Sequence, residues 1–178
     1  LLDAAGNAYA GISDKTTLNF TIANAAPVAQ ADSASTQEDS AVQVDVTAND
    51  SDADSALNKA SVTVVTAAQH GITSVDTGTG VISYTPAGNY NGSDSFSYQV
   101  QDIYGANSNV VTVSVTVQPV NDALQAVADI ASTTEDTALM VDVLANDSDI
   151  DSGDSLDPAT LTLVTSPTHG TAQISHGQ

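Results

Sequence analysis

Apolar side chains recur at every second position through much of the chain. In "VVTVSVTVQ" (110–118), Val111, Val113, Val115 and Val117 share one face, and Thr112, Ser114 and Thr116 share the other. "AVQVDV" groups Val42, Val44 and Val46, "DSFSYQV" groups Phe96, Tyr98 and Val100, and "GVISYTP" supplies Ile82 and Tyr84. A period of two with β-branched and aromatic residues predicts half-buried strands. Gly, Asn, Asp and Pro punctuate the runs at "AND", "TGTG", "PAGNYNG" and "DIYG". No segment carries a 3.6-residue apolar stripe, so the reading is β throughout.

The pattern also repeats. "ADSASTQEDSAVQVDVTANDSDAD" (31–54) aligns with "ADIASTTEDTALMVDVLANDSDID" (128–151), pairing Asp32 with Asp129, Glu38 with Glu135 and Asp50 with Asp147, each 97 apart. "SVTVVTAAQHG" (61–71) then aligns with "TLTLVTSPTHG" (160–170) at an offset of 99. A weaker echo joins "LDAAGNAYAGISDKTTLNFTIANAAP" to "VQDIYGANSNVVTVSVTVQPVNDAL", with Asn24 and Asn121 again 97 apart. The expected organisation is a window on a tandem array. Residues 1–24 read as the last strands of one repeat, 25–122 as a complete repeat, and 123–178 as the first half of the next. Seven or so short strands in about 97 residues predict an antiparallel two-sheet sandwich for each unit.

Charge narrows the function. The chain has 22 Asp and Glu against two Lys and no Arg, a formal net charge of −20. Protein cations cannot balance that charge, so closely spaced carboxylates need dissolved cations. A nucleic-acid or anionic-membrane partner is excluded by the lack of Lys and Arg. Cysteine is absent, which removes disulfides and thiolate zinc sites. No apolar run is long enough for a transmembrane helix.

The acid is not scattered. Each unit carries "ED" before an alternating strand (Glu38, Asp39; Glu135, Asp136) and an "NDSDxD" loop after it, and "NDA" (Asn121, Asp122) marks the boundary between units. A strand of that length spans roughly 20–26 Å, which puts "ED" and the loop at opposite ends of a sandwich. An ion held between consecutive units fits this arrangement. Carboxylate and amide oxygens without His or Cys favour a hard cation, and a flexible, multiply anionic loop favours Ca²⁺ over Mg²⁺. An EF-hand frame fails, because its sixth and twelfth positions would fall on Ser55 and Ser61, or on Ser152 and Pro158. Two plainer readings stand beside calcium: Asx turns that bind no metal, and a salt-adapted surface. His70 and His169 occupy equivalent "HG" turns and read as turn residues packed beside a strand.

"QEDSAVQVDVTANDSDAD" is similar to the Pro-Glu-Asn … Ala-x-Asp-x-Asp pattern of cadherin repeats, and "VNDA" resembles the cadherin linker. "THG", "VISYTPAGNYNGSDSFSYQVQDIYGA" and "VNDA" together resemble the cadherin-like repeats of giant bacterial RTX-type surface adhesins. The resemblance implies calcium shared by Glu38, Asn121, Asp122, Asp149 and Asp151 at one boundary, and by Asn24, Asp52, Asp54 and Asp102 at the other. Ala25 stands where Asp122 stands in the later linker, so the first site has one charge fewer. The Leu-Asp-Arg-Glu element of cadherins is replaced by "NYNGSDSF", in which Asp94 is the candidate. Among the three alternating aspartates the resemblance favours the second and third, since Gly153 follows Asp151.

The expected function is therefore a calcium-stiffened, non-enzymatic extender of a secreted or cell-surface bacterial adhesin. Its expected partners are neighbouring repeats, host or biofilm surface ligands, and a second copy by strand exchange at the ends. The alternative is a glycan- or protein-binding sandwich module, with Tyr90 and Tyr104 as the loop aromatics. A carboxylate-pair glycosidase is disfavoured, because the acidic groups recur in every unit.

Overall fold

A computed structural model describes residues 23–151 and 154–175. The strands expected within 1–22 lie outside the described residues. Seven strands follow in order: β1 (Asp32–Gln37), β2 (Val42–Val44), β3 (Leu57–Thr66), β4 (Gly71–Val75), β5 (Ile82–Pro86), β6 (Gly92–Asp102) and β7 (Val111–Gln118). Among the described residues the only helical segment is one 3₁₀ turn, Pro158–Thr160. The protein is all-β, with two sheets ordered β1-β7-β6-β3 and β2-β5-β4.

The period-two pattern accounts for the core. Val113, Val115 and Val117 of β7 are buried while the residues between them are exposed. They meet Phe96, Tyr98 and Val100 of β6 and Ile82 and Tyr84 of β5. Four further core positions are Val46, Val62, Ala29 and the half-buried Val44. Few large aliphatics are available, so aromatic rings fill the volume; Tyr84 and Phe96 stack with centroids 6.4 Å apart.

One ladder departs from the antiparallel rule. β1 pairs with β7 in parallel, from Asp32↔Val113 to Gln37↔Gln118. The unit is entered at one end and left at the other, so its first and last strands run the same way. β3 and β6 slip register between Asn58 and Thr63. Ser61 bridges the gap: its Oγ donates to the Asn58 carbonyl (2.6 Å) and accepts from the Gln101 N–H (2.8 Å).

The His-Gly turn is built on a buried carboxylate. Asp94 accepts from the N–H groups of Gln69 (3.1 Å) and His70 (2.8 Å) and from the Tyr84 hydroxyl (2.9 Å). His70 stacks on Tyr90 with ring centroids 4.2 Å apart. Gly71 follows because a Cβ there would lie 2.6 Å from the Thr85 carbonyl oxygen and from the Tyr84 ring.

Among the described residues after 122 there is no strand. They hold one bridge, Gln125↔Ser148, and the 3₁₀ turn. Ile130, Met140 and Val164 are strongly exposed.

Candidate metal centre

The acidic loop has a fixed local geometry. The Asp52 carboxylate accepts from the N–H groups of Asp54 (3.0 Å) and Ser55 (2.6 Å), an Asx turn. Those donors hold Asp52 below the usual carboxylate range. Asp54 accepts from the Ala25 N–H at 3.0 Å, which ties the loop to the segment entering the unit. Asn24 donates to Asp102 at 2.5 Å. Burial opposes ionisation of Asp102, but Asn24 and the N–H groups of Tyr104 and Ala106 outweigh it and hold its pKa low. Asn24, Asp52, Asp54 and Asp102 thus gather at one end of the sandwich.

Glu38 lies at the opposite end of β1. It is only 3% exposed, its N–H donates to the Gln118 carbonyl (2.9 Å), and its carboxylate accepts from the Val120 N–H (2.5 Å). It therefore buckles the end of β1 to the strand that leaves the unit. Beyond it, the Asp122 N–H donates to Asp151 (2.7 Å), and Asp149 accepts from the Asp151 N–H (2.9 Å). Burial raises the Asp122 pKa first, and the charges of Asp151, Asp39, Glu38 and Asp149 raise it further. Five carboxylates therefore converge on this linker. Asn121 is exposed, and its amide donates to the Asp122 carbonyl (2.7 Å) rather than to a carboxylate.

Hydrogen bonds of the two loops recur at the repeat offset. Ala25→Asp54 matches Asp122→Asp151, and Gln30→Asp50 (2.8 Å) matches Val127→Asp147 (2.7 Å). Asp39 (φ 57°) and Asp136 (φ 59°) share a left-handed backbone that Asp tolerates better than most residues. The loop geometry is therefore local, because it persists where no strands form. Within it, the first aspartate turns inward: Tyr98 donates its hydroxyl toward Asp50 (2.9 Å) and the Val46 carbonyl (2.7 Å). The third accepts from the segment entering its unit, Ala25 or Asp122.

Hydrogen bonding leaves gaps that suit a cation. Asp52 Oδ2 and Asp122 Oδ2 are buried without a hydrogen-bond partner, one at each end of the unit. An oxygen-only donor set with buried, unpartnered anionic atoms fits a hard divalent ion. The structure also adds residues that sequence reasoning left out. Asp154 has a carboxylate oxygen within 4.8 Å of those of Asp149 and Asp151. Asp39 adds its charge at Asp122 and accepts from the Asn89 N–H (3.1 Å). The recurrence of Asp39 at Asp136 was the available signal for the second; nothing in the repeat pointed to Asp154. Asp94 is spent on the His-Gly turn. Among the described residues one ion pair exists, Lys59 with Asp45 at 3.5 Å on the surface.

Asp32 forms a further acidic contact near Asp50. Its Oδ1 accepts from the Asn49 amide (3.1 Å) and its Oδ2 is buried without a partner. Burial, and then the Asp50 charge, raise its pKa.

Comparison with known proteins gives one family. The model of the Bacterial Ig domain family matches residues 24–117 and, separately, 121–178. No curated protein matches the chain. Modules of this family are generally structural rather than enzymatic and are typically found at the surface or outside the cell. Matched twice along its length and folded as a two-sheet sandwich, the chain belongs to the bacterial Ig-like domain family.

Proposed function

We propose that the chain is a calcium-stiffened segment of a large extracellular bacterial adhesin built from cadherin-like repeats. In this reading 25–122 is a complete repeat, 1–24 ends the repeat before it, and 123–178 begins the repeat after it. The observation that carries it is the pair of buried carboxylate oxygens without partners, Asp52 Oδ2 and Asp122 Oδ2, each in a cluster at a repeat boundary. Glu38, Asn121, Asp122, Asp149 and Asp151 would hold one ion, with Asp39 and Asp154 within reach of the same cluster. Asn24, Asp52, Asp54 and Asp102 would hold the other. Bound calcium supplies charge neutralisation and a shared set of ligands across the boundary. The protein's part is to fix the donors: Asx turns aim Asp52 and Asp149, and Glu38 locks β1 to the outgoing strand.

Thermal unfolding tests this reading. Extracellular sites of this kind bind with dissociation constants of about 10⁻⁴–10⁻³ M. At about a hundredfold excess over that constant, one site adds roughly 2.7 kcal/mol. For a domain near this size each kcal/mol raises Tm by roughly 4–8 °C. The Tm should rise between EDTA and millimolar calcium, and rise less with magnesium, which resists dehydration. Coincident curves in EDTA and calcium would sink the assignment. A glycan array addresses the ligand-binding alternative, for which Tyr104 is the aromatic left open; the face of Tyr90 is stacked on His70.

A further inference from the structure

Tyr98 stands within β6, between Val64 of β3 and Val111 of β7, and its side chain is fully buried. Four oxygens from three separate segments surround its hydroxyl: the Gln30 carbonyl (3.1 Å), the Val46 carbonyl (2.7 Å) and both carboxylate oxygens of Asp50 (2.9 and 3.0 Å). All four are acceptors, and a tyrosine hydroxyl has one proton to give. Burial, and then the bond to Asp50, hold that proton far above the usual phenol range. The hydroxyl is thus a permanent donor, shared by the segment that enters the unit, the turn after β2 and the first aspartate of the acidic loop.

Gln30 closes the same knot from the other side, because its N–H donates to Asp50 Oδ1 (2.8 Å). Ser51, next along, exchanges backbone hydrogen bonds with Val28 (2.7 and 3.1 Å). Asp52 then opens the Asx turn to Asp54 and Ser55. We propose that Tyr98 is the positioning residue of the calcium site at Asn24, Asp52, Asp54 and Asp102: its hydroxyl fixes Asp50 as the anchor from which the ligand-bearing part of the loop hangs. Tyr98 touches none of those ligands. It acts through Asp50, by keeping the loop in its bound shape before the ion arrives, so that little ordering is left to oppose binding.

This inference rests on the calcium reading above and adds to it the residue that sets the affinity of one site. None of the four oxygens around the Tyr98 hydroxyl belongs to the linker cluster of Asp122, Asp149 and Asp151, so the effect is confined to the near end. The core also supplies a control. Tyr84 is fully buried too, and it donates its hydroxyl to a carboxylate, Asp94 (2.9 Å). Asp94 lies near the start of β6 and Asp102 ends it, roughly 26 Å away at the rise of a strand.

Calcium titration of the full chain, followed by amide resonances, tests the assignment site by site. The N–H groups of Asp54 and Ser55 report the near-end site, and those of Asp122 and Asp151 report the linker. Tyr98→Phe should raise the dissociation constant read at Ser55 about tenfold, the lower end of what outer-shell partners of metal ligands contribute, and leave that read at Asp151 unchanged. Tyr84→Phe loses an equivalent buried hydroxyl bond and should change neither. Asp50→Ala breaks the same contact from the loop side with the core ring intact, and it should weaken the same site; it decides the test if Tyr98→Phe does not fold. Unchanged binding at Ser55 in either folded variant, equal weakening at both sites, or the same weakening from Tyr84→Phe would each overturn the proposal alone. Parent resonances that do not move with calcium would overturn the calcium reading and this inference together.

Discussion

Asp94 shows how one residue can look like a ligand and serve as a brace. It sits where a cadherin acid would be expected, yet both its oxygens are taken by Gln69, His70, Ser95 and Tyr84. Burial opposes its ionisation, but those donors outweigh the penalty and hold its pKa below the usual range. A carboxylate with a depressed folded pKa stabilises the fold above its unfolded pKa of about 3.9, and that stabilisation is lost as pH falls through the folded value. Asp94→Asn puts an amide N–H₂ where two donors now point inward, and should cost about 1–3 kcal/mol at neutral pH. Denaturant unfolding followed from pH 7 down to about pH 3 checks this. The parent should lose stability more steeply than the variant below about pH 4, because only the parent has this proton to take up. Parallel profiles would mean that Asp94 contributes nothing as an anion. At this scale the sequence was informative where acids recur and silent where burial decides. Asp50 and Asp52 look alike in "NDSD", but Tyr98 captures the first and the Asx turn holds the second.

Among the elements, β7 was legible because valine alternates with serine and threonine through it. β6 runs further than "DSFSYQV" suggested, from Gly92 to Asp102, since β7 and β3 supply ladder partners at both ends. β1 gave no signal at all. Its inward positions are Asp32, Ala34 and Thr36, with no large apolar side chain among them, and its place in the sheet comes from pairing with β7. "AVQVDV" shrinks to a three-residue strand, with Val46 buried in the turn beyond it. The β3–β6 bulge was equally invisible, because a register slip depends on the partner strand. Ser61 is what makes that slip tolerable. Ser61→Ala should cost about 1 kcal/mol and speed amide exchange at Gln101, which loses its acceptor. Native-state hydrogen exchange reads this directly; an unchanged Gln101 rate would show that the bulge does not depend on the hydroxyl.

Across the whole molecule, local and long-range order separate. Hydrogen bonds of the acidic loops recur in both units, whereas among the described residues the strands all lie between Asp32 and Gln118. The repeated loop was fully visible in the sequence because its geometry is set within a few residues. Its convergence with Glu38 was visible only through the length of the alternating stretch between "ED" and the loop and through the family resemblance. In the proposed array, a unit whose first and last strands run the same way would string successive units end to end, and each linker would carry its own group of carboxylates. In the proposed function calcium joins those groups into a clamp. Small-angle scattering on an array of two complete repeats, in EDTA and in millimolar calcium, tests it most directly, with and without Asp149→Asn and Asp151→Asn in the second repeat. The unsubstituted array should lengthen and stiffen on adding calcium while the double variant keeps its EDTA profile. Equal stiffening of the variant, or no change in either, would contradict it.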